Sequence, residues 1–143
     1  MALWCGATDT RFAYTVINDS GCMGSRPSTC NLPGGETIEV ITSRFPHWFA
    51  PNCGARFSGK DAEMPFDQHS LIAALAPRLV AVGSAEDDFW ACPSGEHAGL
   101  DLARPAWGAH RDRCHYHIRP GGHDINVTDW TAYMDFAARH GWR

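Results

Sequence analysis

Three stretches of this chain carry the apolar pattern of β-strands, each closed by turn residues or acids. The first, Phe12-Ala13-Tyr14-Thr15-Val16-Ile17, is rich in aromatic and β-branched residues and ends in Asn18-Asp19-Ser20-Gly21, which predicts a strand and a turn. The second, Arg78 to Gly83, is a continuous apolar run of strand length and predicts a strand covered on both faces. It runs out into Glu86-Asp87-Asp88-Phe89-Trp90. The third, Cys114 to Arg119, is broken by Pro120-Gly121-Gly122 and delivers His123 at its tip. Helical patterns alternate with these strands. Residues 2–9 read as the end of a helix. Asp67 to Ala76 reads as a helix capped at its start and stopped by Pro77. Asp129 to His140 places Trp130, Tyr133, Met134, Phe136 and Ala137 at helical spacing, which predicts a closing amphipathic helix. Residues 20–35 hold four glycines and two prolines and predict a loop. Glu36 to Thr42 fits a strand or a helical turn equally, and 91–113 reads as loop and a short helix.

Alternating strands and helices predict an α/β fold with parallel strands, flanked by helices. In such sheets chemistry gathers at the carboxyl ends of the strands. Here those ends carry Asp19, then Glu86, Asp87 and Asp88, then His123. Two acids and a histidine on one rim are what a Ser-His-acid triad needs apart from its nucleophile. Asp19 and Asp88 compete for the carboxylate that would accept the imidazole hydrogen bond. Either could instead be a turn former.

Composition narrows the function classes. At 143 residues, with 44% hydrophobic and 20% charged residues, the chain is expected to form one domain over 1–143 with a real core rather than a disordered segment. A formal net charge of −4, with scattered Arg and Lys, argues against nucleic acid or an anionic membrane as partner. No apolar run approaches the roughly 18 residues of a membrane span. The first residues lack a signal-peptide pattern. Six cysteines form no Cys-x-x-Cys pair and are expected as free thiols or core residues. His115 and His117, two apart on a strand, share a face, so a zinc site with Cys114 or His123 is conceivable. No further ligand stands at a recognised metal spacing, and the expectation is no metal and no cofactor. Trp48 and Trp90 could stack on sugar faces or pack as rim residues.

Many ordered segments together resemble one family, the glucuronoyl esterases, the fifteenth carbohydrate esterase family. They run from Ala2-Leu3-Trp4 and Asp9-Thr10-Arg11-Phe12-Ala13 through Asn18-Asp19-Ser20-Gly21-Cys22-Met23-Gly24, Gly35-Glu36-Thr37 and Arg44-Phe45-Pro46-His47-Trp48-Phe49. Asp67-Gln68-His69, Ala76-Pro77-Arg78 and Ser84-Ala85-Glu86-Asp87-Asp88-Phe89-Trp90-Ala91 follow in the family's order. Tyr116-His117-Ile118-Arg119-Pro120-Gly121-Gly122-His123-Asp124, with Asp129-Trp130, completes it. The resemblance covers nearly the whole chain. It implies the C-terminal part of an α/β-hydrolase with an incomplete sheet, whose parent cleaves esters of glucuronic acid on xylan and is usually secreted or periplasmic. It implies His123 as the triad base, Asp19 or Asp88 as its acid, and Trp90 as a contact to the uronic acid.

The departures are equally specific. None of the eight serines lies in a Gly-x-Ser-x-Gly elbow. By the resemblance, the family's serine, its neighbouring arginine and a sugar-binding lysine would precede Met1. Ser25 to Gly34 reads unlike the family, and Cys92 stands where it usually has Asp. Phe12 to Ile17 would then expose an unpaired edge, an aggregation hazard. The expectation is an esterase portion inactive alone. Its alternatives are a non-catalytic uronic-acid-binding module using Trp48 and Trp90, and a metal-dependent hydrolase using His115, His117 and His123.

Overall fold

A computed structural model describes residues 1–30 and 35–142. Three parallel strands form the sheet: β1 (Tyr14–Asn18), β2 (Leu79–Ala85) and β3 (Cys114–Arg119), in the order β1-β2-β3. Tyr14 pairs with Leu79 and Val80 with Cys114, so all three strands point their carboxyl ends the same way. Every residue of β2 is buried, as its unbroken apolar run requires for a strand between two neighbours and two helical layers. Val80 and Val82 face a core built with Leu3, Ile72, Leu75, Leu100 and Trp107. Leu79 and Ala81 face the opposite layer, against Tyr133 and Phe136.

Helices α1 (Ala2–Thr8), α4 (Gln68–Ala73) and α5 (Pro93–Ala103) supply the first layer, and α6 (Val127–Arg139) supplies the second. Between β1 and α4, two further short helices, α2 (Ile38–Arg44) and α3 (Cys53–Phe57), enclose a third cluster around Cys22, Ile38 and Ile41. The ambiguous stretch from Glu36 is thus helical, started by the Thr37 side chain accepting the Val40 amide. Asp67 caps α4 and also accepts the amides of Ser28 and Thr29, which ties the long loop after β1 to this layer. Residues 31–34 of that loop lie outside the described residues.

The stretch 91–113, expected as loop with a short helix, is more helical than that reading. Residues Pro93–Ala103 form an 11-residue helix, followed by 3-10 turns over Arg104–Arg113. Its two glycines dilute its apolar pattern. At Gly99 a side chain would overlap the Ser25 carbonyl, so one side of this helix packs bare against the loop after β1, while Leu100 and Ala103 join the core. The first strand also begins two residues later than its aromatic pattern suggests, leaving Phe12 about half exposed. All six cysteines are free.

Candidate active site

Each strand hands its chain to a short turn at the carboxyl edge, and the turns are locked to one another. After β1, Asp19 takes a left-handed backbone (φ 41°) and its amide donates to the Gly83 carbonyl of β2. Gly83 must be small, because a Cβ there would collide with the Tyr133 hydroxyl. After β2, Glu86 donates to the Arg119 carbonyl and Asp87 to that of Gly121, so the β2 and β3 turns stay paired beyond the sheet. Asp88 closes a turn onto Ala85.

This framework brings His123 and Asp88 together. The Nδ1 atom of His123 lies 2.7 Å from Asp88 Oδ2, while the other Asp88 oxygen accepts the Ala91 amide at 3.3 Å. Asp88 is buried, whereas the His123 side chain is 70% exposed, so its far ring nitrogen faces solvent. The hydrogen bond to Asp88 raises the His123 pKa above its ordinary value, against a smaller opposing effect of burial.

Asp19 stands beside the pair without holding the ring. One oxygen each from Asp19 and Asp88 and one ring nitrogen of His123 lie within 4.8 Å of one another. Yet Asp19 Oδ2 is engaged by the Asp124 backbone amide at 3.2 Å, the Asn18 side-chain Nδ2 at 3.1 Å and Arg119 at 3.6 Å. Its Oδ1 is buried without a partner among the described residues. Burial pushes the Asp19 carboxyl up, the Asp124 amide opposes this, and the Asp88 charge adds to the rise. Of the two competing acids, the hydrogen bond to His123 falls to Asp88.

His115 and His117 do not join the cluster. Both face α6, as their spacing on a strand requires: His115 stacks on Phe136, and His117 Nε2 lies 3.0 Å from Asp129 Oδ1. The histidine set of the metal-dependent alternative is therefore split. Among the described residues, the group that could offer a cation three ligands is Asp19, Asp88 and His123. An open concavity of about 430 Å³ borders His117 and α6, lined by Val127, Thr128, Thr131, Ala132 and Asp135, and does not include His123.

Trp90 and Trp48 belong to one aromatic ledge. Phe45 stacks on Trp48 (centroids 4.2 Å apart, planes 7° apart) and lies 6.2 Å from Trp90. The Arg44 guanidinium covers the Trp90 ring at 4.7 Å. Trp90 follows Asp88 by two residues, so the ledge adjoins the His-Asp pair. Trp48 is 60% exposed.

Two buried charged residues that order this rim escape a reading of the sequence. Glu96, on α5, accepts the Ser20 and Gly21 amides and the hydroxyls of Ser20, Ser25 and Ser84. Burial raises its pKa, and these donors oppose the rise. The three serines closest in sequence to the ends of β1 and β2 are thereby committed to Glu96, and none bonds His123 among the described residues. Arg119, the last residue of β3, is 4% exposed and donates to Asp129 and to carbonyls of the His123 turn. Their partners are set by tertiary placement, and only the Arg119-to-Asp124 span is local enough to hint at it.

The family profile "Glucuronyl esterase, fungi" matches residues 1–110. A carbohydrate esterase of an unknown prokaryotic organism is 39% identical over 97% of this chain and 35% of its own length. A 4-O-methyl-glucuronoyl methylesterase of Podospora anserina is 29% identical over 76% of this chain and 23% of its own. The fold matches a promiscuous esterase of carbohydrate esterase family 15 from a marine bacterial metagenome with a TM-score of 0.89 at 38% identity, covering 97% of this chain and 38% of that one. It also matches a glucuronoyl esterase from Solibacter usitatus with a TM-score of 0.87 at 37% identity, covering 99% of this chain and 40% of that one. The chain thus spans about a third of the length of the first of these relatives and less of the second.

Proposed function

The chain belongs to the glucuronoyl esterase family and has an α/β-hydrolase architecture, and on that premise we propose that it supplies the base, the acid and part of the sugar site of an esterase acting on glucuronic acid esters of xylan. The observation that carries the proposal is the 2.7 Å hydrogen bond between His123 Nδ1 and Asp88, with the other ring nitrogen open to solvent.

The chemistry follows from that polarity. Asp88 accepts a hydrogen bond from the Nδ1–H, which leaves the Nε2 lone pair directed outward as the base. A serine hydroxyl supplied by another segment of the enzyme gives its proton to Nε2 as its oxygen attacks the ester carbonyl. The imidazolium so formed is stabilised by the Asp88 carboxylate. It then returns the proton to the departing alcohol oxygen, leaving the uronic acid as an acyl-enzyme. A water molecule repeats the sequence and releases the free uronate. Asp19 adds a second negative charge near the ring. Trp90 and Trp48 present faces on which a pyranose could stack, and the Arg44 cation over Trp90 favours an acidic sugar beside it. The same ledge supports the binding-module reading, in which the chain holds uronic-acid sugars without chemistry.

The test is a chimaera in which this chain replaces the matching portion of the Solibacter usitatus enzyme, assayed on a benzyl glucuronate ester. The folded chimaera should hydrolyse the ester, and His123→Ala should cost on the order of a million-fold, the pattern for losing a triad base. A folded chimaera that is inert, or one whose turnover survives His123→Ala, would refute the catalytic reading. Calorimetry with glucuronoxylan fragments separates the binding module: heat at millimolar ligand without turnover would leave that reading standing.

A further inference from the structure

From the carbonyl cradle after β3 we infer that Arg119 is the positioning residue of the site, holding the His123 turn in the shape that sets the imidazole against Asp88. The inference rests on the reading of His123 as the base. His123 cannot hold itself in place, since its side chain is 70% exposed and is fixed by a single hydrogen bond. Its backbone must therefore be held from both sides. Arg119 does this from within the turn. Its Nη1 donates to the carbonyls of Pro120 and Gly122 at 3.1 Å each, and its Nη2 donates to that of Asp124 at 2.6 Å. Three carbonyls flanking His123 converge on one guanidinium.

The charge of Arg119 is balanced on both sides. Nε donates to Asp129 Oδ2 at 2.7 Å, and Nη2 lies 3.6 Å from Asp19 Oδ2. Asp129 is itself fixed at the start of α6, where it accepts the Asn126 amide in a capping box. The turn is thus anchored to a helix on one side and to the neighbouring acid on the other. Lysine would keep the charge but not the geometry. An ammonium is a compact point donor, whereas the planar fork of arginine carries five donors at fixed directions, which this cradle uses.

The readout is the His123 ring, followed by NMR titration in the 143-residue chain, together with amide exchange. In the wild type, His123 should titrate above the ordinary imidazole value. In the Arg119→Lys protein its midpoint should fall back toward that value, because the ring leaves Asp88. The Asp124 amide, which donates to Asp19, should exchange at least about tenfold faster while β2 and α6 amides keep their protection, as a local opening requires. A folded Arg119→Lys protein with an unmoved His123 titration would overturn the inference. So would faster exchange spread evenly over sheet and helices, the signature of a purely structural role. Should that protein not fold, the wild type decides: a protected Asp124 amide supports the cradle, and one exchanging at the unfolded rate overturns it. Ester turnover enters none of these measurements, so loss of the esterase reading and loss of this inference are separable.

Discussion

His123 gains most of its basicity from Asp88, and the sign of that effect is testable. Because the hydrogen bond to Asp88 raises the folded pKa above the ordinary 6.5, the contact stabilises the fold fully below pH 6.5 and loses its contribution as pH climbs through the raised value. The neutral ring needed for catalysis accumulates over the same rise, so the acid limb of ester hydrolysis in the chimaera should lie above pH 6.5. Asp88→Asn removes the charge and should lower the His123 midpoint in an NMR titration, whereas Asp19→Asn should lower it less, since Asp19 acts only through space. A midpoint indifferent to Asp88→Asn would deny the pair its assigned chemistry. The sequence brings all three residues forward through one rule, chemistry at the carboxyl ends of parallel strands. It cannot rank Asp19 against Asp88, because that choice depends on which turn the Asp124 amide and Arg119 reach first.

At the scale of elements, α5 does more than cover the sheet. Its buried Glu96 collects the turn after β1 and the Ser84 hydroxyl at the end of β2 onto one carboxylate. Glu96→Ala leaves the buried Gly21 amide, the half-buried Ser20 amide and up to three hydroxyls without their acceptor, and each buried orphan costs about 1–3 kcal/mol. A loss of at least about 3 kcal/mol in urea-induced unfolding is expected, with Glu96→Gln milder because its amide oxygen still accepts. A loss under about 1 kcal/mol would mean that water replaces the carboxylate at little cost. The extent of this helix was hard to read because two of its buried positions are Gly95 and Gly99, set against Arg26 and Ser25, which leaves Leu100 and Ala103 for the apolar core. The strands were easier to see. An apolar run covered on both sides is written into β2 itself, whereas a helix that packs partly through glycines leaves a weaker periodic mark.

For the whole molecule, the sheet order places β1 at one margin and β3 at the other, both unpaired among the described residues. Exposed parallel edges favour association with further strands. Sedimentation of the purified 143-residue chain should therefore show concentration-dependent assembly, and a monodisperse monomer up to millimolar concentration would contradict this. The three strands, α4 with its Asp67 cap, the closing helix and the rim of Asp19, Asp88 and His123 were legible from residue order alone, because period, caps and turn residues are local properties. Which acid bonds the imidazole, how Glu96 gathers three serines and why the buried Arg119 bears on an exposed histidine were decided only by tertiary structure. Those contacts join residues from separate turns, and no local pattern specifies how the strand ends, once packed, orient carbonyls and carboxylates toward one another.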